Sequence, residues 1–110
     1  AILAGLEPEL RDRLIARCEF EQHTDETITT REAFLAELRV TAERGYATDL
    51  GEFEPLVHCI GIPVPRSSGV DAAVSVTTIQ ASPDVDALRG LVPRLATAAK
   101  AIAADLGHRG

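Results

Sequence analysis

The chain has 110 residues and a formal net charge of −6, and hydrophobic residues make up 45% of it. This length is enough for one small domain with one core, and the core must be mainly aliphatic because the chain has no Trp, no Met and a single Tyr. The 11 basic residues are scattered, which argues against nucleic-acid binding by this segment. No apolar run approaches the ~18 residues of a membrane span, and two cysteines are too few for a disulfide framework. We therefore expect free thiols and a cytoplasmic location.

Two helices are predicted in the first half of the chain. The first begins at Pro8, because proline is tolerated in a first turn. Its apolar face, at helical spacing, comprises Leu6, Leu10, Leu14, Ile15 and Cys18. This spacing predicts that Cys18 is a small buried hydrophobe rather than a ligand. The second helix begins with a capping box from Thr29 to Glu32 and ends at Gly45, a residue type common where a helix end turns left-handed.

The polar segment between these helices contains His23, with Glu21 and Asp25 nearby. Metal binding is one interpretation of this group. Metal sites usually need three or four converging ligands, and nothing in this spacing specifies them. We therefore interpret the segment as a solvated loop and predict no metal.

Three strands are predicted next, over about residues 46–50, 57–64 and 70–79. The connection at 65–69 is short and rich in turn-forming residues. These features predict that the last two strands form an antiparallel hairpin.

A long helix is predicted at the end of the chain. Ser82 is the expected N-cap, Pro83 the first helical residue and Asp84 a favourable charge in the first turn. The apolar seam of this helix recurs at steps of three and four and comprises Val85, Leu88, Val92, Leu95, Ala99, Ile102 and Leu106. Pro93 predicts a kink or break, because it cannot donate a helical hydrogen bond, and Gly107 is the expected end. We expect the seam to pack on the sheet of its own chain.

The two faces of the predicted hairpin differ in composition, because strand side chains alternate. One face is mostly branched and aliphatic, with His58, Ile60, Ile62, Val64, Val74 and Val76. The other is small and mildly polar, with Cys59, Gly61, Ser75 and Thr77. Either a helix packs closely over these small residues, or the missing volume is a pocket for a small polar ligand. Asp49, at the end of the first strand, either joins such a pocket or lies in a solvated loop.

The sequence does not predict an enzyme. His58 and Cys59 are adjacent in a strand, so they point to opposite faces and cannot form a thiolate–imidazole pair. The chain has no nucleophile elbow, no phosphate-binding glycine loop and no His-Glu-x-x-His pattern. We expect no catalytic residue and no cofactor.

Several motifs of the central segment occur in a fixed order. They are Arg44-Gly45-Tyr46-Ala47, Asp49, Glu52-Phe53-Glu54-Pro55, Cys59-Ile60, Pro63-Val64 and Ala72-Ala73-Val74-Ser75-Val76-Thr77. Together they resemble the C-terminal effector-binding domain of the IclR-type bacterial transcriptional regulators, over nearly the whole chain. The resemblance implies an α+β fold of two layers or a sandwich. Its GAF-like antiparallel sheet is flanked by helices, in the order α-α-β-β-β-α.

This resemblance also implies a function. Such domains bind a small metabolite, often a carboxylic acid, and control an N-terminal winged helix-turn-helix in proteins that are dimers or tetramers. The positions that match the family's ligand contacts are Asp49, Val57, Cys59, Ser75 and Thr77. The same resemblance implies that residues 1–110 are an effector-binding domain truncated at its N-terminal side. The DNA-binding domain and part of the ligand site would then lie outside the chain.

Some positions depart from the pattern that the family shows. Leu56 stands where glycine is common, Gly61 and Ile62 stand where alanines are common, and Thr77 stands where serine is frequent. These differences would reshape the pocket, so ligand identity does not carry over. Two alternatives stay open: a dimerisation module whose small-residue face is tight packing, and a GAF-like domain with a thiol or redox role at Cys59.

Overall fold

A computed structural model of the chain describes residues 1–65, 72–82 and 84–108. The fold is α+β, with a three-stranded antiparallel sheet and helices. The strands are β1 (Ala47–Leu50), β2 (Val57–Pro63) and β3 (Ala73–Ile79). The helices are α1 (Pro8–Ile15), α2 (Arg31–Arg44), α3 (Val85–Gly90) and α4 (Val92–His108), and a 3-10 turn at Leu3–Gly5 precedes them.

Strand β2 is the centre of the sheet, with β1 on one side and β3 on the other. The predicted antiparallel hairpin of β2 and β3 is confirmed, with register from Val57 opposite Ile79 to Pro63 opposite Ala73. Residues 66–71, which include most of the predicted turn, lie outside the described part of the chain.

The core lies between the sheet and the last two helices. Its buried members are Ile60, Ile62, Val64, Leu88, Leu95 and Ala99. The predicted apolar seam therefore packs on the sheet of its own chain, although Ile102 is left 39% exposed. Each fully buried aliphatic side chain contributes about 1.5–3 kcal/mol of hydrophobic free energy. No helix among the described residues combines the length and the apolarity needed to cross a membrane.

The predicted final helix is divided in two near Pro93. Helix α3 ends at Gly90, and α4 begins at Val92. Pro93 is the second residue of α4, where its missing N–H leaves no hydrogen bond unmade. The prediction of a break near this proline is confirmed.

Both predicted ends of this helical region were wrong. The N-cap is Asp84, whose Oδ1 accepts a hydrogen bond from the Ala87 N–H at 3.0 Å, rather than Ser82. Pro83 lies outside the described residues. At the other end, α4 continues through Gly107 to His108, because a glycine weakens a helix without forbidding it.

Helix α2 begins one residue later than the predicted capping box. Thr30 rather than Thr29 is the N-cap, and its hydroxyl accepts a hydrogen bond from the Ala33 N–H at 3.2 Å. Two successive threonines offer the same capping chemistry, so the sequence did not distinguish them. Gly45 ends the helix with a φ of 84°, as predicted.

The prediction that Cys18 is buried was wrong. Helix α1 ends at Ile15, so Cys18 lies beyond the last helical turn and is exposed. Its Sγ lies 3.5 Å from the Leu14 carbonyl oxygen. Ile15, which is 2% exposed, is the residue of this face that reaches the interior.

Candidate functional site

Three of the predicted ligand contacts lie in one row across the sheet. Asp49 of β1 is paired with Cys59 of β2, and Cys59 is paired with Thr77 of β3. The Thr77 hydroxyl donates a hydrogen bond to the Cys59 Sγ at 3.5 Å. Neighbouring strands are about 4.8 Å apart, so Asp49 and Thr77 are separated by about 10 Å across this face.

The other two predicted contacts lie in the rows on either side. Ser75 is paired with Gly61, and Val57 is paired with Ile79. All five predicted residues therefore share one face of the sheet, because partners and alternate residues point the same way. A Cβ built at Gly61 would lie 3.6 Å from the Ser75 Cβ and 4.0 Å from the Ala1 Cβ. Gly61 is buried, and the start of the chain and Ser75 lie at ordinary van der Waals distance from its open side.

This polar face is open around the central row. Ser75 and Thr77 are exposed, whereas Asp49 and Cys59 are half-buried. Among the described residues, α3 and α4 pack against β2, and α4 also packs against β3. The side chains of both helices pack with the aliphatic residues of the other face, Ile60, Ile62 and Val64. The row presents a carboxylate, a thiol and one hydroxyl side by side, and Ser75 adds a second hydroxyl from the neighbouring row. We call this surface the polar face.

The Asp49 carboxylate has a structural partner. Its Oδ1 accepts a hydrogen bond from the Glu52 N–H at 2.9 Å, which closes the turn after β1. The Glu52 Oε2 in turn accepts a hydrogen bond from the Leu50 N–H at 3.4 Å. Gly51, between them, has a φ of 77°, a conformation that favours glycine. One Asp49 oxygen therefore shapes the turn, and the other has no protein partner in the described structure.

A second carboxylate lies beside Asp49. Burial raises the pKa of the Glu52 carboxyl above its ordinary value of 4.5, and the negative charge of Asp49 raises it further. The Leu50 N–H has the opposite, lowering effect on this pKa, and the negative charges of Glu37 and Glu26 add to the increase. This end of the polar face is therefore negative.

The Arg44 guanidinium does not neutralise Asp49. Its Nη2 lies 3.0 Å from a Glu37 carboxylate oxygen and 3.2 Å from the Thr48 Oγ1. Its Nε donates a hydrogen bond to the Tyr46 carbonyl at 2.7 Å, and the guanidinium lies over the Tyr46 ring. Arg44 therefore fixes the turn between α2 and β1. It lies by Thr48, whose side chain is on the opposite face of the sheet from Asp49.

The polar loop before α2 is attached to the turn after β1. The Thr24 hydroxyl donates a hydrogen bond to the Gly51 carbonyl at 2.6 Å, and the Thr27 hydroxyl donates one to the Glu52 carbonyl. His23 contacts the Phe53 ring, with 4.6 Å between ring centroids. The parts of the chain that the structure describes contain no group of three residues arranged to hold a metal ion. The segment interpreted as a solvated loop thus supports the turn that positions Asp49.

Sequence reasoning missed two neighbours of the polar face. Ile79 is two residues beyond Thr77 in β3 and therefore points to the same face, so the alternation of side chains could have identified it. It is 78% exposed. Glu52 has no such signal, because its contact with Asp49 comes from the turn. A cavity of about 590 Å³ is lined by Leu50 and His58 at the other face of the sheet, and none of the five predicted residues lines it.

A three-stranded antiparallel sheet with α3 and α4 packed against its central strand and a row of polar side chains on its other face defines an α+β domain. The family model for the C-terminal region of the bacterial transcriptional regulator IclR matches residues 1–104. The chain belongs to this family.

Known relatives agree with the family assignment. The transcriptional regulator XynR of Escherichia coli K12 is 34% identical over 108 residues, which cover 97% of this chain and 43% of XynR. The crystal structure of the C-terminal domain of the E. coli regulator KdgR superposes with a TM-score of 0.86 at 31% identity. That match covers 96% of this chain and 66% of the KdgR domain.

A third relative is an IclR homologue from Microbacterium hydrocarbonoxydans, solved as a complex with 4-hydroxybenzoate. It has a TM-score of 0.77 and 25% identity, over 96% of this chain and 42% of that chain. The chain therefore spans less than half the length of XynR and of this homologue. The curated relatives are transcriptional regulators, and the prediction that the chain is not an enzyme is confirmed.

Proposed function

We propose that this chain is the ligand-sensing domain of a transcriptional regulator and binds a small organic acid on the polar face. The residues proposed to contact the ligand are Asp49, Val57, Cys59, Ser75 and Thr77. The row of Asp49, Cys59 and Thr77 carries the proposal, because it aligns three different polar groups on one exposed surface.

Recognition of the acid would rest on neutral donors. The Ser75 and Thr77 hydroxyls can donate hydrogen bonds to a carboxylate, and the Thr77 hydroxyl would turn away from Cys59 to do so. Hydrogen bonds to a charged acceptor are short and roughly twice as strong as neutral ones. Cys59 and Val57 would form the wall against which the body of the ligand packs.

Asp49 would select the other end of the ligand. Its negative charge repels a carboxylate but accepts a hydrogen bond from a hydroxyl group or from a bridging water. The separation of about 10 Å between Asp49 and Thr77 suits a compact ring with an acid at one end and a hydroxyl at the other. The 4-hydroxybenzoate complex of the M. hydrocarbonoxydans homologue supports a ligand of this class.

Binding would act on DNA indirectly. A ligand that prefers one conformation of this domain shifts the population toward it, and a coupled domain then changes its affinity. We propose that the whole protein is a cytoplasmic homodimer or homotetramer. We further propose that this chain is an N-terminally truncated effector domain and that a winged helix-turn-helix outside it contacts the operator.

Thermal unfolding against 4-hydroxybenzoate, benzoate and small aliphatic acids tests the site. A ligand at about 100 times its dissociation constant stabilises the folded state by about 2.7 kcal/mol. We expect Ser75→Ala and Asp49→Ala to reduce this stabilisation, whereas Ser82→Ala, outside the polar face, leaves it unchanged. Unchanged affinity in both site variants would contradict the assignment.

A dimerisation module without ligand binding is the alternative, and the exposure of Ile79 at the edge of the polar face favours it. Sedimentation at several concentrations discriminates the two functions. Association that Ile79→Asp abolishes, in a protein that no acid of the panel stabilises, would support the alternative.

A further inference from the structure

His58 is buried on the face of the sheet opposite Cys59. The residue is 2% exposed, and its Nδ1 has no hydrogen-bond partner within the described structure. Its backbone is held in the sheet, where its carbonyl accepts a hydrogen bond from the Thr78 hydroxyl at 3.2 Å. Buried polar atoms are almost always paired, so an unpaired ring nitrogen requires an explanation.

The cavity of about 590 Å³ adjoins this imidazole. One wall of the cavity consists of Leu50, Gly51, Pro55 and His58. The opposite wall consists of residues 24–26, from the loop before α2. The hydrogen bond from the Thr24 hydroxyl to the Gly51 carbonyl joins the two sides. This volume is within the range of small-molecule sites, which are about 300–1,000 Å³.

The loop side of the cavity is acidic. Asp25 and Glu26 both line it and are exposed, and neither Lys nor Arg is among the residues that line it. The negative charge of Glu26 also contributes to the raised pKa of Glu52, so it acts on this end of the sheet. The apolar side chains of Leu50 and Pro55 lie in the same cavity, and an apolar wall beside two carboxylates favours an organic cation.

We propose that this cavity binds a small organic amine. The protonated amine lies against Asp25 and Glu26, the apolar body packs on Leu50 and Pro55, and the unpaired nitrogen of His58 makes a hydrogen bond. The sheet separates this site from the polar face, so the inference does not rest on the proposed function.

Nuclear magnetic resonance with three ring-matched probes tests this site. Benzylamine, benzyl alcohol and benzoate share a phenyl ring and carry a positive, a neutral and a negative polar group. We expect benzylamine alone to give saturable shifts at the His58 ring and at the Thr24 and Gly51 amides. Glu26→Gln and Asp25→Asn should each weaken benzylamine binding about fivefold, the effect of one solvated charge at close range.

Matched variants separate this site from general charge and from the polar face. Glu43→Gln on α2 makes the same exchange away from the cavity and should leave benzylamine affinity unchanged, as should Ser75→Ala. His58→Leu removes both ring nitrogens at similar volume and should also weaken binding. The proposal fails if benzylamine gives no shifts there, if benzoate binds equally well, or if Glu26→Gln and Glu43→Gln have equal affinity.

Discussion

Cys59 and Ile60 are consecutive residues of β2 that point to opposite surfaces of the sheet. Ile60 is fully buried beneath the C-terminal helices, whereas Cys59 is half-buried beside the exposed Thr77. The covered face supplies the hydrophobic free energy of the fold, and the polar face contributes little of it. Alternate residues of one strand therefore belong to the core and to the proposed ligand site, so the core and the site can be changed separately.

The largest difference between the two faces should appear on truncation of Ile60. Ile60→Ala removes three buried carbons from the core and should lower the free energy of unfolding by about 2–5 kcal/mol. Urea denaturation measures the effect. Cys59→Ala is the adjacent control and should cost less than about 1 kcal/mol. Equal losses in the two variants would mean that the polar face is also part of the core.

Substitutions at Asp49 test whether the polar face stabilises the fold through the turn after β1. Asp49→Ala removes the acceptor for the Glu52 N–H and should cost about 1 kcal/mol in the free energy of unfolding. Asp49→Asn keeps a side-chain oxygen at this position and should cost less than half as much. If the two substitutions destabilise the chain equally, the Asp49 charge, and not the hydrogen bond, supports the turn.

Glu52, beside the polar face, should make the stability of the whole chain depend on pH. Because its pKa in the folded state lies above 4.5, the folded chain binds this proton more tightly than the unfolded chain does. The stability that this proton contributes is present below about pH 4.5 and is lost as the pH rises through the raised pKa. Glu52→Gln should therefore flatten the decrease in melting temperature over that interval.

The control for this pH effect is Glu54→Gln in the same loop, where the side chain is exposed. This variant should keep the wild-type dependence of melting temperature on pH. The same dependence in Glu52→Gln would show that Glu52 is not the group responsible. Because solvent screens the partly exposed Glu52 carboxylate, we expect Glu52→Gln to change stability less than Asp49→Ala does.

Thr77 should give the smallest change in stability. Thr77→Val keeps the shape of an exposed strand residue and should alter the free energy of unfolding by no more than about 0.5 kcal/mol. Val76→Thr makes the reverse exchange on the covered face, where an unpaired hydroxyl costs about 1–3 kcal/mol. A loss above about 1 kcal/mol in Thr77→Val would show that its contact with Cys59 supports the fold.

Patterns with a short period predicted much of this structure. The alternation along β2 and β3 placed Cys59, Ser75 and Thr77 on one face, and the apolar seam of the final helical region was predicted to pack on the sheet. The pairing register of β1 with β2 places Asp49 opposite Cys59, on the same face. These features follow from local chain geometry, so the sequence contains them directly.

Features that depend on distant contacts were not predicted. The attachment of Thr24 to Gly51 joins residues 27 positions apart, and no local pattern records it. The burial of His58 without a partner for Nδ1 is a property of packing. The errors at Cys18 and Thr29 arose at helix ends, where neighbouring residues offer nearly equal energies.

The position of β2 between two antiparallel partners constrains how the gene can change in length. Insertion or deletion of one codon within Val57–Pro63 would turn the shifted part of the strand over, and a change just before Cys59 would exchange Cys59 and Ile60 between the surface and the core. Codon gains and losses in homologous genes should therefore be excluded from this stretch and tolerated at the exposed residues 53–55 before it, which lie outside the paired strands.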